Sequence, residues 1–303
     1  MRSAILVQWR LYWKTIDRNA NAWYIGFARV VNLPYKSEFK KESGKNYMLI
    51  MSLNINDFGG TSEHLQEHKT DNGYIDWDFW NNRIYKIAII DKLKGIINRK
   101  KPSVIIIQEF EHNNSPEPID FIKWMKEQGY QVKGNIPTYK VSMTLLFVKS
   151  AKFSEIAVKH SKTGTNARDY AVRVGGYIIY GTHIPLNSKN RPNIREDYWD
   201  EVIAFYEERS ADKVVLIGDF NTFDKSTPAY KKYQMLCEKG AIDLWLNKGN
   251  PDDTATEIKF RKRLDYVFIS PSVEEYIVSM DIDSGIMDEE KISDHAALFL
   301  ELK

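Results

Sequence analysis

Cysteine is scarce in this sequence, and so are long apolar runs. Cys237 is the single cysteine among 303 residues, which excludes an intrachain disulfide and a cysteine-rich zinc site. The first ten residues contain an apolar run of only four, too short for a signal-peptide core or a membrane span. We therefore expect a cytoplasmic protein without a membrane anchor. The sequence identifies no protein partner, and we expect a monomer.

A strong charge of one sign is also absent, because the formal net charge is +2. Residues 1–47 carry nine Lys/Arg against three Asp/Glu, so residues 48–303 are net acidic. A large cationic surface is therefore not expected on the main part of the chain, although local basic patches can contact phosphates. We treat residues 1–47 as an N-terminal extension of unknown role, whether a packing segment, a partner arm or a leader ahead of a start at Met48.

From Met48 onward, short apolar runs rich in β-formers alternate with segments of helical periodicity. Helices are predicted over 83–99, 193–210 and 229–239, and Gly175–Gly176 predicts a hairpin between two strands. This order is typical of an α/β fold, and it predicts one domain over 48–303 with two stacked sheets flanked by helices.

Polar residues stand at the ends of the apolar strands, where side chains project from a sheet rim and loops form a crevice. They are Asn54, Glu109, His183, Asp219 with Asn221, Asp265, and Asp294 with His295. Each alone has an ordinary explanation as a turn former, a cap or a hydrogen-bonded surface group. Six strand-end segments that each carry such a residue indicate a site.

Glu109 is the first candidate metal ligand. It ends the run VIIIQ, and a carboxylate at a buried strand needs a cation or hydrogen-bond donors. Mg²⁺ prefers oxygen ligands and often takes only one or two protein carboxylates. A structural ion pair is the alternative.

Asp219 and Asn221 are two residues apart, so in an extended backbone both side chains face the same way. A cap or turn cluster is the alternative for this pair. His295 can act as an acid or base near neutral pH, and Asp265 is the candidate carboxylate that fixes its tautomer. His183 could donate a hydrogen bond to a phosphate oxygen, or it could simply be hydrogen-bonded within the protein.

The segments SLNIN, IIQEF, YGTH, IGDFN, RLDYVF and ISDH resemble, in this order, the motifs of the endonuclease/exonuclease/phosphatase superfamily, which includes deoxyribonuclease I. The resemblance covers about 50–303. It implies a four-layer α/β/β/α sandwich of two packed mixed β-sheets flanked by helices. It also implies a divalent-metal-dependent phosphoesterase that uses Mg²⁺, with Mn²⁺ as a substitute. Metal would be held by Glu109 with Asn54 and Asp294, and the implied catalytic residues are His183, Asp219, Asn221, Asp265 and His295.

One fold of this kind serves several substrates, so the substrate must be argued separately. Four arginines near the strand-end motifs are candidate substrate-binding residues: Arg191, Arg195, Arg261 and Arg263. Cationic groups so placed suit a polyanion, although a solvated charge run is the default explanation. They also suit a multiply phosphorylated inositol. We expect a nuclease that hydrolyses nucleic-acid phosphodiester bonds. The alternatives are a phosphatase or phosphodiesterase acting on inositol phosphates or other small or lipid phosphate esters, and a catalytically silent binding module of the same fold.

Overall fold

The computed structural model describes residues 47–61, 83–111, 116–133, 142–150, 152–164 and 167–303. The predicted N-terminal extension, apart from its last residue, lies outside these residues. The strands are β1 Met48–Asn54, β2 Val104–Glu111, β3 Gln131–Lys133, β4 Ser142–Val148, β5 Phe153–Ile156, β6 Asp169–Val174, β7 Tyr177–His183, β8 Val214–Asp219, β9 Ile242–Asp243, β10 Asp265–Ile269, β11 Ile277–Asp283 and β12 Ala297–Leu302. The α-helices are α1 Arg83–Lys100, α2 Pro116–Glu127, α3 Ile194–Glu207, α4 Pro228–Glu238, α5 Leu244–Asn247 and α6 Gly285–Asp288. Two 3₁₀ segments cover Asn56–Phe58 and Pro271–Tyr276.

The described strands form two six-stranded mixed sheets. The first has the order β11-β12-β1-β2-β4-β3 and the second the order β5-β6-β7-β8-β10-β9. Each sheet has a parallel pair near its centre, β1 with β2 and β7 with β8, and the neighbouring strands run antiparallel. The two parallel pairs bring the ends of four central strands to one rim of the molecule.

Alternation along the strands assigns each side chain to a layer. In β1, Ile50 faces the other sheet, while Met51 and Leu53 face the helices. In β2, Ile106 takes the inner side and Ile107 the outer side. Both faces of these strands are apolar because both are buried, which explains the continuous runs in the sequence.

Helices cover the outer face of each sheet. Buried residues of α1 and α2, such as Leu93 and Phe121, pack on the outer face of the first sheet. Buried residues of α3 and α4, such as Trp199 and Leu236, pack on the outer face of the second. The layers therefore follow the order α/β/β/α, and the predicted four-layer sandwich is confirmed.

The sheets approach closely at Gly181 of β7. A Cβ atom at this position would come within 2.6 Å of Ile106 Cγ2 on the facing sheet, so only glycine allows this spacing. In the part of the chain that the structure describes, no helix has an apolar stretch long enough to span a bilayer.

Candidate active site

Strand register places three of the predicted site residues side by side at one edge of the second sheet. Asp219 at the end of β8 pairs with His183 at the end of β7 and with Asp265 at the start of β10. His295 lies just before β12 of the first sheet, and its backbone forms a β-bridge with Glu257. The site is therefore assembled from both sheets.

The carboxylate of Asp219 lies at the centre of this group. Asn54 Nδ2, from the first sheet, donates to Asp219 Oδ2 over 3.0 Å. The same oxygen lies 3.7 Å from His183 Nε2 and 3.9 Å from His295 Nε2. Burial raises the pKa of Asp219 to about 7 against the lowering effect of charged His295. Asp219 can thus exchange a proton near neutral pH.

Asn221 reaches Asp219 by a turn and not by strand alternation. The strand ends at Asp219, and Asn221 has a φ of +47°. Its backbone N–H donates to Asp219 Oδ1 over 2.9 Å, and its Nδ2 donates to the carbonyl oxygen of Ile184 over 2.8 Å. The expectation that both side chains share one face of an extended strand is therefore wrong, although the turn still brings the two residues together.

His295 is held by Asp265. The distance between His295 Nδ1 and Asp265 Oδ2 is 2.9 Å, and both side chains are buried. Burial lowers the pKa of His295, but Asp265, Asp219 and Asp294 outweigh it and hold the pKa well above its usual value. His295 is therefore a buried imidazolium whose Nε2–H is available for an anionic group.

Glu109 enters the site because β2 is irregular there. The register with β4 shifts between Ile107 and Phe110, and Glu109 has a φ of +49°. Its carboxylate is partly exposed, and Oε1 lies 3.5 Å from His183 Nε2. Burial and then the charges of Glu109 and Glu257 raise the pKa of Asp294 to about 6, against the effect of His295.

Arg168 belongs to the site, and sequence reasoning missed it. Its Nη1 lies 2.9 Å from His183 Nδ1, and its carbonyl oxygen accepts the backbone N–H of His183 over 2.8 Å. A guanidinium only donates, so His183 Nδ1 accepts and Nε2 carries the hydrogen. Burial, Arg168 and His295 lower the pKa of His183 well below its usual value. The sequence did contain a signal for this contact. The hairpin predicted at Gly175–Gly176 places the start of β6, next to Arg168, opposite the end of β7, where His183 lies.

A cavity of about 350 Å³ is lined by six of the residues described above: Glu109, Arg168, His183, Asp219, Asn221 and His295. Its lining also includes five residues that sequence reasoning did not select: Pro185, Leu186, Glu257, Phe260 and Leu264. Glu257 accepts the backbone N–H groups of Lys259 and Phe260, each over 2.7 Å. A glutamate in a charged segment gave no sign in the sequence that it would shape a turn.

The four predicted substrate-binding arginines differ in their surroundings. Arg263 is 2% exposed, and its guanidinium pairs with Asp243 and Asp252, each over 2.8 Å. It stabilises the interior, so the expectation that Arg263 contacts substrate does not fit the structure.

The other three arginines remain at the surface to different degrees. Arg261 is exposed and pairs with Asp288 over 2.7 Å. Arg191 is exposed, and its guanidinium donates to the carbonyl oxygen of Thr163. Arg195 is largely covered but close to the site, with Nη1 3.4 Å from the carbonyl oxygen of Asn221.

The donor set fits a hard divalent cation. Asp219 and Asp265 each offer a carboxylate oxygen and His295, when deprotonated, offers a ring nitrogen, and these atoms lie within 4.8 Å of one another. The raised pKa of Asp219 reflects burial and the neighbouring carboxylates of Asp265 and Glu109, a concentration of negative charge that a cation would relieve. This group differs from the predicted ligands Glu109, Asn54 and Asp294, of which Asn54 already bonds Asp219. That set remains a prediction.

Three solved structures have similar folds. An AP endonuclease from Archaeoglobus fulgidus is 15% identical with a TM-score of 0.62, over 84% of this chain and 98% of that one. A variant of the 3′ phosphatase NExo from Neisseria, solved bound to a product DNA hairpin, is 14% identical with a TM-score of 0.61, over 84% and 99%. A humanized D. rerio TDP2 is 14% identical with a TM-score of 0.58, over 85% and 99%. At these identities the likeness shows the fold alone, and no curated protein matches the chain.

The sequence itself matches a family profile over residues 51–295, which is most of the chain and spans the motifs from β1 to His295. The profile is described as "Endonuclease/Exonuclease/phosphatase family". The fold, the order of the strand-end residues and their convergence on one cavity all agree with this match. The chain therefore belongs to the endonuclease/exonuclease/phosphatase family of phosphoesterases.

Proposed function

We propose that this phosphoesterase is a divalent-metal-dependent nuclease that hydrolyses phosphodiester bonds in nucleic acid. One observation carries the chemistry: Asp219 Oδ2 lies 3.0 to 3.9 Å from Asn54 Nδ2, His183 Nε2 and His295 Nε2. A carboxylate that can take a proton thus stands beside two imidazole N–H donors, in a cavity open to solvent.

In the proposed reaction one of these residues transfers a proton, and the others orient it or stabilise negative charge on the phosphate. Asp219 is oriented by Asn54 and by the backbone of Asn221, and it accepts the proton of the attacking water. His295, charged and fixed by Asp265, donates from Nε2 to a phosphate oxygen. His183 donates from Nε2 as a neutral imidazole, and Arg168 adds a fixed positive charge behind it.

A cation fits the acidic side of this cavity. Mg²⁺ or Mn²⁺, when bound, neutralises charge on the phosphoryl group and its leaving oxygen. Two sets of residues are candidates for holding this cation. The potential ligand atoms of Asp219, Asp265 and His295 lie close together in the structure, while the family resemblance implies Glu109 with Asn54 and Asp294. The first set supplies two carboxylates and, only from a neutral His295, a ring nitrogen. The second set supplies oxygen atoms alone, so it is the set compatible with a charged His295 that donates to phosphate.

A polymeric substrate is supported by the basic residues around the cavity. Arg191, Arg261 and Lys262 are exposed, although residues 48–303 are net acidic. Such groups contact phosphates beyond the scissile one. The similar structure of NExo was solved with a DNA hairpin, which supports nucleic acid as the substrate class.

A small phosphate ester is the second candidate. The cavity volume of about 350 Å³ lies within the range typical of small-molecule pockets, and Arg168 could pair with a second phosphate group. An inositol phosphate has the right charge for this arrangement.

The test is a cleavage panel with Mg²⁺ or Mn²⁺ on plasmid DNA, single-stranded DNA, RNA, inositol phosphates and sphingomyelin. We expect cleavage of nucleic acid that excess chelator abolishes, and no cleavage by Glu109→Gln. Asp253→Asn is the matched control, because it removes an exposed carboxylate outside the cavity lining. Turnover of a soluble ester with no cleavage of any nucleic acid would overturn the nuclease proposal and retain the phosphoesterase.

A further inference from the structure

Two large apolar side chains are exposed at the mouth of the catalytic cavity. Phe260 is 50% exposed and Leu186 is 61% exposed, and both line the cavity. Single exposed apolar residues are common and need no special explanation. A solvent-exposed aromatic ring beside a charged site does not stabilise the core, however, so it is a candidate for contact with a ligand.

Phe260 sits on a turn that is fixed to the catalytic machinery. Residues 258–261 form the turn, and a β-bridge between Glu257 and Lys262 closes it. The buried Glu257 carboxylate binds the backbone N–H groups of Lys259 and Phe260 inside the turn. The backbone of Glu257 also bridges that of His295. The position of Phe260 is therefore set relative to His295 and not by a free loop.

A second aromatic ring supports Phe260. Phe223, two residues after Asn221, has its ring centroid 5.4 Å from that of Phe260, at an interplanar angle of 32°. Phe223 is only partly exposed, whereas Phe260 presents half of its surface to solvent. The pair forms a platform with one supported ring and one open ring.

Cationic side chains flank this platform. Lys259 Nζ lies over the Phe260 ring, 5.1 Å from its centroid, at the end of an exposed side chain. Arg261 and Lys262 follow Phe260 in the sequence and are exposed, and Arg261 pairs with Asp288 over 2.7 Å. An aromatic ring with positive groups next to it complements a ligand that joins planar rings to phosphates. An inositol ring carries an oxygen on every carbon and has no π face, so it can make only C–H contacts with Phe260 and would gain less from it than a nucleobase.

We propose that Phe260 is a specificity-determining residue on which a nucleobase next to the scissile phosphate stacks, with Phe223 behind it. This inference rests on the proposed function and narrows the substrate to nucleic acid with an accessible, unstacked base at that position. The basic residues of the turn hold the adjoining phosphates, and Leu186 adds a second exposed apolar side chain to the cavity lining.

The test compares two single-stranded probes of equal length: an oligothymidylate and an oligomer of abasic deoxyribose phosphates. Binding is measured by fluorescence anisotropy with Mg²⁺ in an Asp219→Asn background, so that neither probe is cleaved. We expect Phe260→Ala to weaken binding of the oligothymidylate about 10-fold or more, as loss of base stacking does. Binding of the abasic oligomer should change by less than about 2-fold, and Phe260→Trp should bind oligothymidylate at least as well as the parent.

The control is Met235→Ala, an exposed apolar residue on α4 outside the cavity lining, which should bind both probes like the parent. Equal weakening of both probes by Phe260→Ala would show that the residue only shapes the turn, and would overturn the inference. So would unchanged binding, or a parent that binds neither probe. Base-dependent binding through Phe260 in a protein that cleaves no nucleic acid would overturn the nuclease proposal and leave Phe260 as a base-binding residue only.

Discussion

At the residue scale, the proposed mechanism has Asp219 and His295, which lie 3.9 Å apart, act on the same transition state. We expect Asp219→Asn and His295→Ala each to lower turnover by about 10²-fold or more, as is typical of positioned acid–base groups. Because the two residues share one step, the double variant should resemble the worse single variant. Steady-state kinetics on an oligonucleotide measures this, and losses that multiply would show that the two groups act independently.

Arg168 sets the hydrogen positions of His183. Its guanidinium lies 2.9 Å from Nδ1, so Arg168→Gln should let both tautomers of His183 form, and kcat/KM should fall about 10-fold with the loss of a fixed donor. Nitrogen-15 NMR of the His183 ring reports the tautomer directly. Arg173→Gln, at the other end of β6, is the matched control, and an unchanged His183 spectrum in Arg168→Gln would contradict the assignment.

Gly218 precedes Asp219 in a conformation that side chains rarely adopt. Its φ is +148°, and a Cβ atom there would overlap the carbonyl oxygen of Thr182. We expect Gly218→Ala to lower the free energy of unfolding by about 2 kcal/mol or more through backbone strain and overpacking. Gly95, inside α1, offers the contrast, because a Cβ atom there meets only Arg99 Nη1 at 3.5 Å. Gly95→Ala should stabilise the helix by about 0.5–1 kcal/mol, and urea unfolding of both variants tests the pair.

At the element scale, the connection after β5 is tied to β6 and α3 by one histidine. His160 Nε2 lies 3.0 Å from Asp169 Oδ1 on β6, and its Nδ1 lies 3.4 Å from Glu201 Oε2 on α3. Burial lowers the pKa of His160, but hydrogen bonds and charges of Asp169 and Glu201 outweigh it, so the pKa is raised. The protonated form therefore binds these two elements together.

The raised pKa predicts how stability depends on pH. A group with a raised folded pKa contributes fully below its unfolded pKa, about 6.5 for histidine, and the contribution is lost as pH rises through the folded value. The difference in unfolding free energy between wild type and His160→Gln should thus be largest near pH 6 and shrink toward alkaline pH. Asp219 and Asp294 also titrate, but the wild type and His160→Gln both contain them, so their contribution cancels in the difference between the two unfolding free energies. A difference that is constant with pH would refute this linkage.

At the scale of the whole molecule, the charge distribution predicts how salt affects nucleic-acid binding. Residues 48–303 are net acidic, so attraction to a polyanion depends on the cations around the cavity. The double variant Arg261→Ala, Lys262→Ala should weaken binding to all nucleic-acid sequences equally. It should also reduce the slope of log Kd against log salt concentration by up to about 1.4 for a single strand. Lys152→Ala with Arg173→Ala removes the same charge around β5 and β6, away from the cavity, and should leave the slope unchanged. Equal slopes for wild type and the cavity variant would contradict the placement of these cations.

Much of the fold could be predicted because apolar patterning is local. The runs in β1 and β2 are apolar on both faces, and this follows from burial between a second sheet and helices. Asp219, His183 and Asp265 could be selected for a related reason. Each stands where an apolar strand begins or ends, and strand ends meet at a sheet rim.

The sequence by itself determined the layers, the family and the strand-end residues, since each depends on short-range periodicity or on ordered motifs. Only the tertiary structure decided which charged residues join the site. Arg261 and Arg263 look alike in the sequence, but Arg263 is buried by Asp243 and Asp252 while Arg261 stays exposed. Arg168 meets His183 only through the register of a hairpin, and Phe260 faces the cavity only because Glu257 closes its turn. These contacts depend on charge partners that are distant in the sequence, on the strand register and on the closure of a turn. All three are fixed only when the sheets pack, so no local pattern could specify them.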